Sequence, residues 1–230
     1  MQNNKDIINE IMNDIINDIV SKKLGYWYDK SFMCKQEADE LYTFCSDLNF
    51  VEYPYRGKTL TRSPKVEFKI NNTIGTYRFG QEKKAYDLVN LSIPDIIQKH
   101  INKLNDKNIN YVTIIKYDHG TRHHIPWHSD KQEGTISAGA KDISGGTNIY
   151  NINVFNGINR LFQVAKPEFI DKTKASVYEF NERMEHGSLF ALTADGNKTM
   201  KHQVPKEKKW TLSKQSRYSI VLRTIKNNKK

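Results

Sequence analysis

The chain has 230 residues, with 36 Lys and Arg against 26 Asp and Glu, and a formal net charge of +10. This length suits one sizeable core with a small N-terminal addition, and no apolar run approaches the roughly 18 residues needed to span a bilayer. The positive excess favours a polyanionic partner, because Lys and Arg that neutralise phosphates release condensed counterions. KEKK (206–209) and the tail KNNKK read equally well as solvated surface.

MQNNKDIINE lacks the basic-then-apolar order of a secretory signal, so an intracellular protein, nuclear or cytoplasmic, is expected, with no membrane partner. Cys34 and Cys45 lie in apolar-patterned sequence and are expected to be buried, reduced thiols, which argues against a disulfide framework or a zinc knuckle.

Residues 6–24 predict an amphipathic helix. Ile7, Ile8, Ile11, Met12, Ile15, Ile16, Ile19 and Val20 form its stripe, Asp6 is the N-cap and Gly25 the C-cap. That stripe docks on the domain or makes a dimer contact; a monomer is the expected state. YWYD (26–29) predicts a strand, and 35–48 a helix with Ala38, Leu41, Tyr42, Cys45 and Leu48 on one face.

Segment 51–70 mixes strand-like residues with Pro54, Gly57 and Pro64, suggesting strands joined by a protruding basic loop, and TIGTYRFG (73–80) reads as a short aromatic strand. A helix follows Pro94 with Ile96, Ile97, His100, Ile101 and Leu104 as its apolar face. From residue 110 the texture is β: YVTIIKY (111–117), TNIYNINVFN (147–156), RLFQV (160–164), SVYEF (176–180), SLFALT (188–193) and RYSIVLRTI (217–225). Six such runs suggest a sandwich or small barrel. The Gly- and Ser-rich segment 133–146 is expected to be a mobile loop.

The chemistry starts in IPWHSDKQE (125–133). If His128 and Asp130 end a strand, alternation sends both side chains to one face, where they can grip a cation; H-x-D alone also describes a surface hydrogen-bonded pair. His202, which follows the strand SLFALT and a turn ADGNKT, supplies the third ligand. Two His and one carboxylate leave three positions open around octahedral iron, the arrangement of a non-haem Fe(II) oxygenase. Such an enzyme needs a co-substrate as electron source, most often 2-oxoglutarate, whose distal carboxylate suits a buried Arg fork. On the last strand Arg217, Ser219, Val221 and Arg223 share a face, and two inward arginines are costly without anionic partners.

The order HSD…H…RYSIVLR, with KYDHG before it and EHGSLFALTADGNKTMKHQVPK around the third ligand, resembles the AlkB family of Fe(II)/2-oxoglutarate dioxygenases, and in particular its nucleic-acid dealkylases. The resemblance spans about residues 26–225 and is densest from 111 onward. It implies an α+β fold with a mainly β core, a double-stranded β-helix (jelly roll) carrying N-terminal helices and a nucleotide-recognition lid. The implied layout is a helix at 1–25, helices and lid at 26–110 and the jelly roll at 111–226, with 26–226 one domain.

By the same resemblance His128, Asp130 and His202 hold Fe(II), Arg217 holds the distal carboxylate of 2-oxoglutarate, Arg223 lies near its iron-binding end, and Tyr117 bonds the co-substrate, with Ser219 keeping a polar group beside it. O2 and 2-oxoglutarate are consumed, succinate and CO2 are formed, and hydroxylation of an N-alkyl carbon gives a hemiaminal that loses formaldehyde. The implied partner is DNA or RNA carrying an alkylated base, with Tyr77 and Phe79 stacking on the base and Arg56, Lys58 and Arg62 contacting phosphates. Gln132 and Glu133 occupy the region where the base edge is commonly read.

Departures are specific. Ile115 stands where the family usually has Asn, two residues before the tyrosine, and Ser219 and Val221 replace Asn and Thr of R-x-N-x-T-x-R. His123, His124 and Trp127 are expected to be loop or packing residues. Two other readings remain: a protein or small-molecule hydroxylase on the same fold, and a nucleic-acid-binding module without catalysis.

Overall fold

The computed structural model describes residues 24–50, 65–69, 92–118, 123–130, 146–157, 159–170, 177–206 and 216–225. The predicted helix up to Lys23, the basic loop, the strand at 73–80 and the loop at 133–145 lie outside the described residues.

The elements in chain order are β1 (Tyr26–Asp29), α1 (Lys35–Ser46), β2 (Lys65–Lys69), α2 (Asp95–Lys103), β3 (Tyr111–Tyr117), β4 (Ile125–His128), β5 (Ile149–Phe155), β6 (Leu161–Ala165), a 3-10 turn (Pro167–Phe169), β7 (Phe180–Arg183), β8 (Ser188–Leu192), α3 (Ala194–Thr199), β9 (Lys201–Val204) and β10 (Arg217–Arg223). A six-stranded sheet runs β1-β8-β5-β10-β3-β2 and a four-stranded sheet β4-β9-β6-β7; all pairings are antiparallel. Neighbours in each sheet are mostly distant in sequence, the mark of two facing sheets wound as a double-stranded β-helix.

Period-two alternation divides the large sheet cleanly. Val112, Ile114, Ile152, Val154, Leu189, Ala191, Tyr218, Ile220 and Leu222 face outward to a core completed by Ala38, Leu41 and Cys45 of α1 and Ile97 and Ile101 of α2. Tyr111, Ile115, Tyr117, Phe190, Leu192 and Val221 face inward to Phe162, Val164, Phe180 and Val204 of the small sheet. The site is built in this second space.

Some elements differ from the sequence reading. Among the described residues of SVYEF only Phe180 belongs to a strand; β7 begins there in register with β6, Val164 opposite Phe180 and Leu161 opposite Arg183, and Val177 is left exposed. ADGNKT is a short helix, capped by the Thr193 hydroxyl, which accepts from Gly196 N at 3.0 Å. Cys34 is exposed rather than buried: it precedes α1 at the N-cap, off the helix's apolar face, whereas Cys45 is fully buried.

His100 is buried in α2, and its Nδ1 has no hydrogen-bond partner among the described residues. Burial, aided by Lys103 and Lys99 nearby, lowers its imidazole to about 4. As pH falls through the ordinary value of about 6.5, the unfolded chain takes up this proton first. Stabilisation by neutral His100 is complete above that value and is lost as pH falls toward about 4. Urea denaturation of His100→Met across this window is expected to give a flatter stability–pH profile than the parent; identical profiles would show that His100 titrates normally.

Candidate metal centre

β4 is the edge strand of the small sheet, which tolerates Pro126 because no neighbour needs its missing N–H on the open side. Its last residue, His128, sits opposite His202 of β9, and the two imidazoles meet with centroids 4.3 Å apart. Pro126 O lies 2.8 Å from His128 Nδ1. A carbonyl only accepts, so Nδ1 donates to it and Nε2 is the ring nitrogen turned toward Asp130.

That Nε2 lies 3.7 Å from Asp130 Oδ1, and His202 Nε2 lies 4.0 Å from the same oxygen. Both separations exceed a hydrogen bond, and donor atoms of all three residues fall within 4.8 Å of one another. Among the described residues this is the cluster able to hold a metal ion.

The protonation states suit ligation. Burial, with His128 close by, lowers His202 to about 3, so the imidazole is neutral at working pH. For Asp130 burial pushes the carboxyl up, but Arg223 together with the two histidines outweighs it and holds the group well below the usual carboxylate range. Two imidazole nitrogens and one ionised carboxylate are the donor set preferred by Fe(II) in open facial sites.

Arg223 forks onto the other Asp130 oxygen, with Nη2 at 2.9 Å and Nε at 3.2 Å from Oδ2, while its Nη1 donates to Thr113 Oγ1 at 3.2 Å. Arg223 lines the cleft beside these residues and orients Asp130.

A cleft of about 520 Å³, counted to its open mouth, runs inward from the three residues. Ser219 and Asn151 line it, with Ser219 Oγ donating to Asn151 Oδ1 at 2.5 Å, and apolar walls come from Ile115, Phe162, Phe190 and Val221. Tyr117 also lines it; burial raises its phenol to about 12, so the hydroxyl stays protonated.

Arg217 is buried behind Tyr117, its guanidinium carbon 4.9 Å from the ring centroid, and its Nε donates to Asn153 Oδ1. Arg160, likewise buried, stands 6.0 Å from the same ring and donates from Nη2 to Pro205 O at 2.8 Å. Arg217 thus packs on the face of Tyr117, which lines the cleft.

Trp127 stacks on Tyr178, with ring centroids 6.2 Å apart. His123 accepts from Asp118 N at 2.8 Å, bracing the connection from β3 to β4. Arg56, Lys58, Arg62, Tyr77, Phe79, Gln132 and Glu133 lie outside the described residues. Asn151, Thr113 and Arg160 escape the sequence reading. The available signal was the alternation within IYNINVF, which puts Asn151 and Asn153 on the inward face of a strand otherwise apolar.

Arg223→Met is expected to leave Asp130 as a buried charge without its fork, at a cost of about 3–5 kcal/mol. Because the parent's Asp130 is depressed, its stabilising effect is present above the ordinary carboxylate value and lost as pH falls through the lowered one. Urea denaturation near neutral pH checks the cost; a loss below about 1 kcal/mol would mean the pair behaves as a surface ion pair.

No protein-family model matches the chain, and no curated protein does. Among solved structures, it is similar to a prolyl hydroxylase in complex with a hypoxia inducible factor oxygen degradation domain peptide fragment from Trichoplax adhaerens, at 10% identity and TM-score 0.58, covering 98% of this chain and 94% of that one. OsALKBH1 aligns at 14% identity and TM-score 0.54, covering 87% and 96%. A 2OG-Fe(II) oxygenase family oxidoreductase from Burkholderia pseudomallei aligns at 12% identity and TM-score 0.52, covering 91% of each chain. The chain therefore has the double-stranded β-helix fold of the 2-oxoglutarate- and Fe(II)-dependent oxygenases, AlkB homologues among them.

Proposed function

We propose that this protein is an Fe(II)- and 2-oxoglutarate-dependent oxygenase that removes N-alkyl groups from bases of DNA or RNA. The observation that carries the oxygenase reading is the convergence of His128, Asp130 and His202 at the head of a cleft inside this fold. When bound, the metal would supply O2 activation coupled to oxidation of 2-oxoglutarate to succinate and CO2.

The chain's own part is holding and excluding. His128, Asp130 and His202 hold the ion, and Arg223 keeps Asp130 ionised and oriented. Tyr117, with Arg217 behind it, and Ser219 offer donors for the distal carboxylate. The apolar walls keep water from the reacting carbon. Hydroxylation of an N-alkyl carbon leaves a hemiaminal, which collapses to the unmodified base and formaldehyde without further help.

The nucleic-acid reading is supported by the net charge of +10, by the AlkB-like motifs and by the likeness to OsALKBH1. In it Arg56, Lys58 and Arg62 contact phosphates, Tyr77 and Phe79 stack on the extruded base, and Gln132 and Glu133 meet its edge. A second reading, hydroxylation of a protein side chain, is favoured by the likeness to the peptide-bound prolyl hydroxylase. A binding module without catalysis would leave the Asp130–Arg223 fork and the facing imidazoles without a role.

Anaerobic addition of Fe(II) and 2-oxoglutarate is expected to produce a weak visible charge-transfer band, and its absence would count against the oxygenase class. Mass spectrometry of DNA and RNA oligonucleotides carrying single N-methyl lesions should show methyl loss. Succinate without methyl loss, together with oxidation of a peptide, would move the assignment to the second reading. His202→Ala is expected to abolish turnover with nucleic-acid affinity nearly intact; a fully active variant would remove His202 from the metal site.

A further inference from the structure

Asp130 is held by more than its side chain. Its backbone N–H donates to Asn197 Oδ1 at 2.9 Å, and Asn197 Nδ2 donates back to Asp130 O at 3.0 Å. One primary amide thus closes on both peptide groups of the same residue. Asn197 is fully buried, 67 residues away in sequence, and belongs to α3, just upstream of His202.

The neighbouring contact works in the same sense. Ser129 Oγ donates to Met200 O at 2.8 Å, so the turn after β4 and the segment leading into β9 are bonded to each other at two successive positions.

α3 is itself seated firmly. Gly25 O accepts from Thr193 N and from Thr193 Oγ1, both at 3.0 Å. A Cβ on Gly196 would come within 1.8 Å of Gly25 O, so this close approach of two backbones requires glycine. Asn197 therefore sits on a fixed base. Its short side chain has two torsions, and reciprocal bonding settles both them and the orientation of its amide.

We propose that Asn197 is a positioning residue of the metal site. Its amide fixes the Asp130 peptide, and so sets where the carboxylate stands relative to His128 and His202. It touches neither the metal nor the cleft, and it acts through Asp130. The division of labour is physical: Arg223 fixes the position of Oδ2, whereas Asn197 fixes the backbone from which the carboxylate projects. Removing either leaves one hinge free. The inference rests on the metal-site reading of the three residues.

Metal affinity separates positioning from mere stability. Mn(II), a spectroscopic probe for oxygen- and nitrogen-donor sites, is titrated into the full-length protein without substrate and followed by loss of the free-ion EPR signal. Asn197→Ala is expected to bind it about 10–100-fold more weakly, the range found when an outer partner of a metal ligand is lost. Ile97→Val, a cavity-forming change in the helix-facing core with its own thermal destabilisation, serves as the control and is expected to bind as the parent does. If Asn197→Ala is unfolded by circular dichroism, Asn197→Ser, too short to span both peptide groups, carries the same expectation.

Equal affinity of the folded Asn197 variant and the parent overturns the proposal while leaving the metal site standing. Equal weakening in Ile97→Val also overturns it, by reducing the effect to global stability. A parent that binds no Mn(II) overturns the metal reading and this inference together.

Discussion

β10 is buried along its whole length, between β3 on one side and β5 on the other, and this one strand has to satisfy two incompatible surroundings. Its outward side chains, Tyr218, Ile220 and Leu222, belong to the apolar core under the helices. Its inward set contains two arginines and a serine, all three buried. Burying such groups without partners costs several kcal/mol each, so the inward face dictates what must stand opposite it. Arg223 is met by Asp130 and Thr113, Ser219 by Asn151, and Arg217 by Asn153 and the face of Tyr117. A slip of one residue would turn all three polar groups into the helix-facing core. Register in the large sheet and geometry at the candidate metal centre are thus one constraint.

Asp130 shows how that constraint becomes chemistry. Its two carboxylate oxygens do different work: Oδ2 takes the Arg223 fork, and Oδ1 is turned toward both histidines. Because both bonds from Arg223 are charge-assisted and converge on Oδ2, they fix where that oxygen stands and favour the ionised carboxylate. The histidines are oriented by unlike means. His128 is held by the Pro126 carbonyl on its own strand, whereas His202 Nδ1 is buried with no hydrogen-bond partner among the described residues. His202 is instead held by register, opposite both His128 and Val164, and by the Phe162 ring at 5.8 Å. Packing replaces the usual outer hydrogen bond.

Where hydrophobic alternation was strong, the sequence already revealed the structure. YVTIIKY and the first seven residues of RYSIVLRTI are β3 and β10 as written, and the two helices fall within two residues of their predicted ends. The double-stranded β-helix itself became legible only through the resemblance, because pairing between distant strands leaves no local trace. β4 and β9 are four residues each and carry Pro, Trp, His, Lys and Gln, so neither propensity nor alternation marks them as strands. SVYEF is offset for the opposite reason: Val177 and Tyr178 lie before the pairing starts, and β7 runs from Phe180 into the polar Asn181, Glu182 and Arg183. The H-x-D and the arginine strand could be found from spacing, whereas Asn197 could not. A buried amide bonding to a peptide group 67 residues away has no signature in composition or period.

Ile115, which replaces the Asn of the resembled motif, faces inward from β3 among apolar side chains, and an amide stands nearby across β10. Ile115 and Asn153 are both register partners of Ser219, on opposite sides of β10. Asn151, two residues before Asn153 and on the same inward face, lines the cleft and bonds Ser219. The amide group is therefore present in the same space, delivered by the strand across β10. What the inward-facing side chains require is a donor or acceptor beside Ser219, and either neighbouring strand can supply it. With Ile115 apolar, the β3 side of the cleft becomes a wall, and the polar side shifts toward β5. Tyr117, Ser219 and Asn151 thus form one polar side of the cleft, with Arg217 and Arg160 flanking the Tyr117 ring.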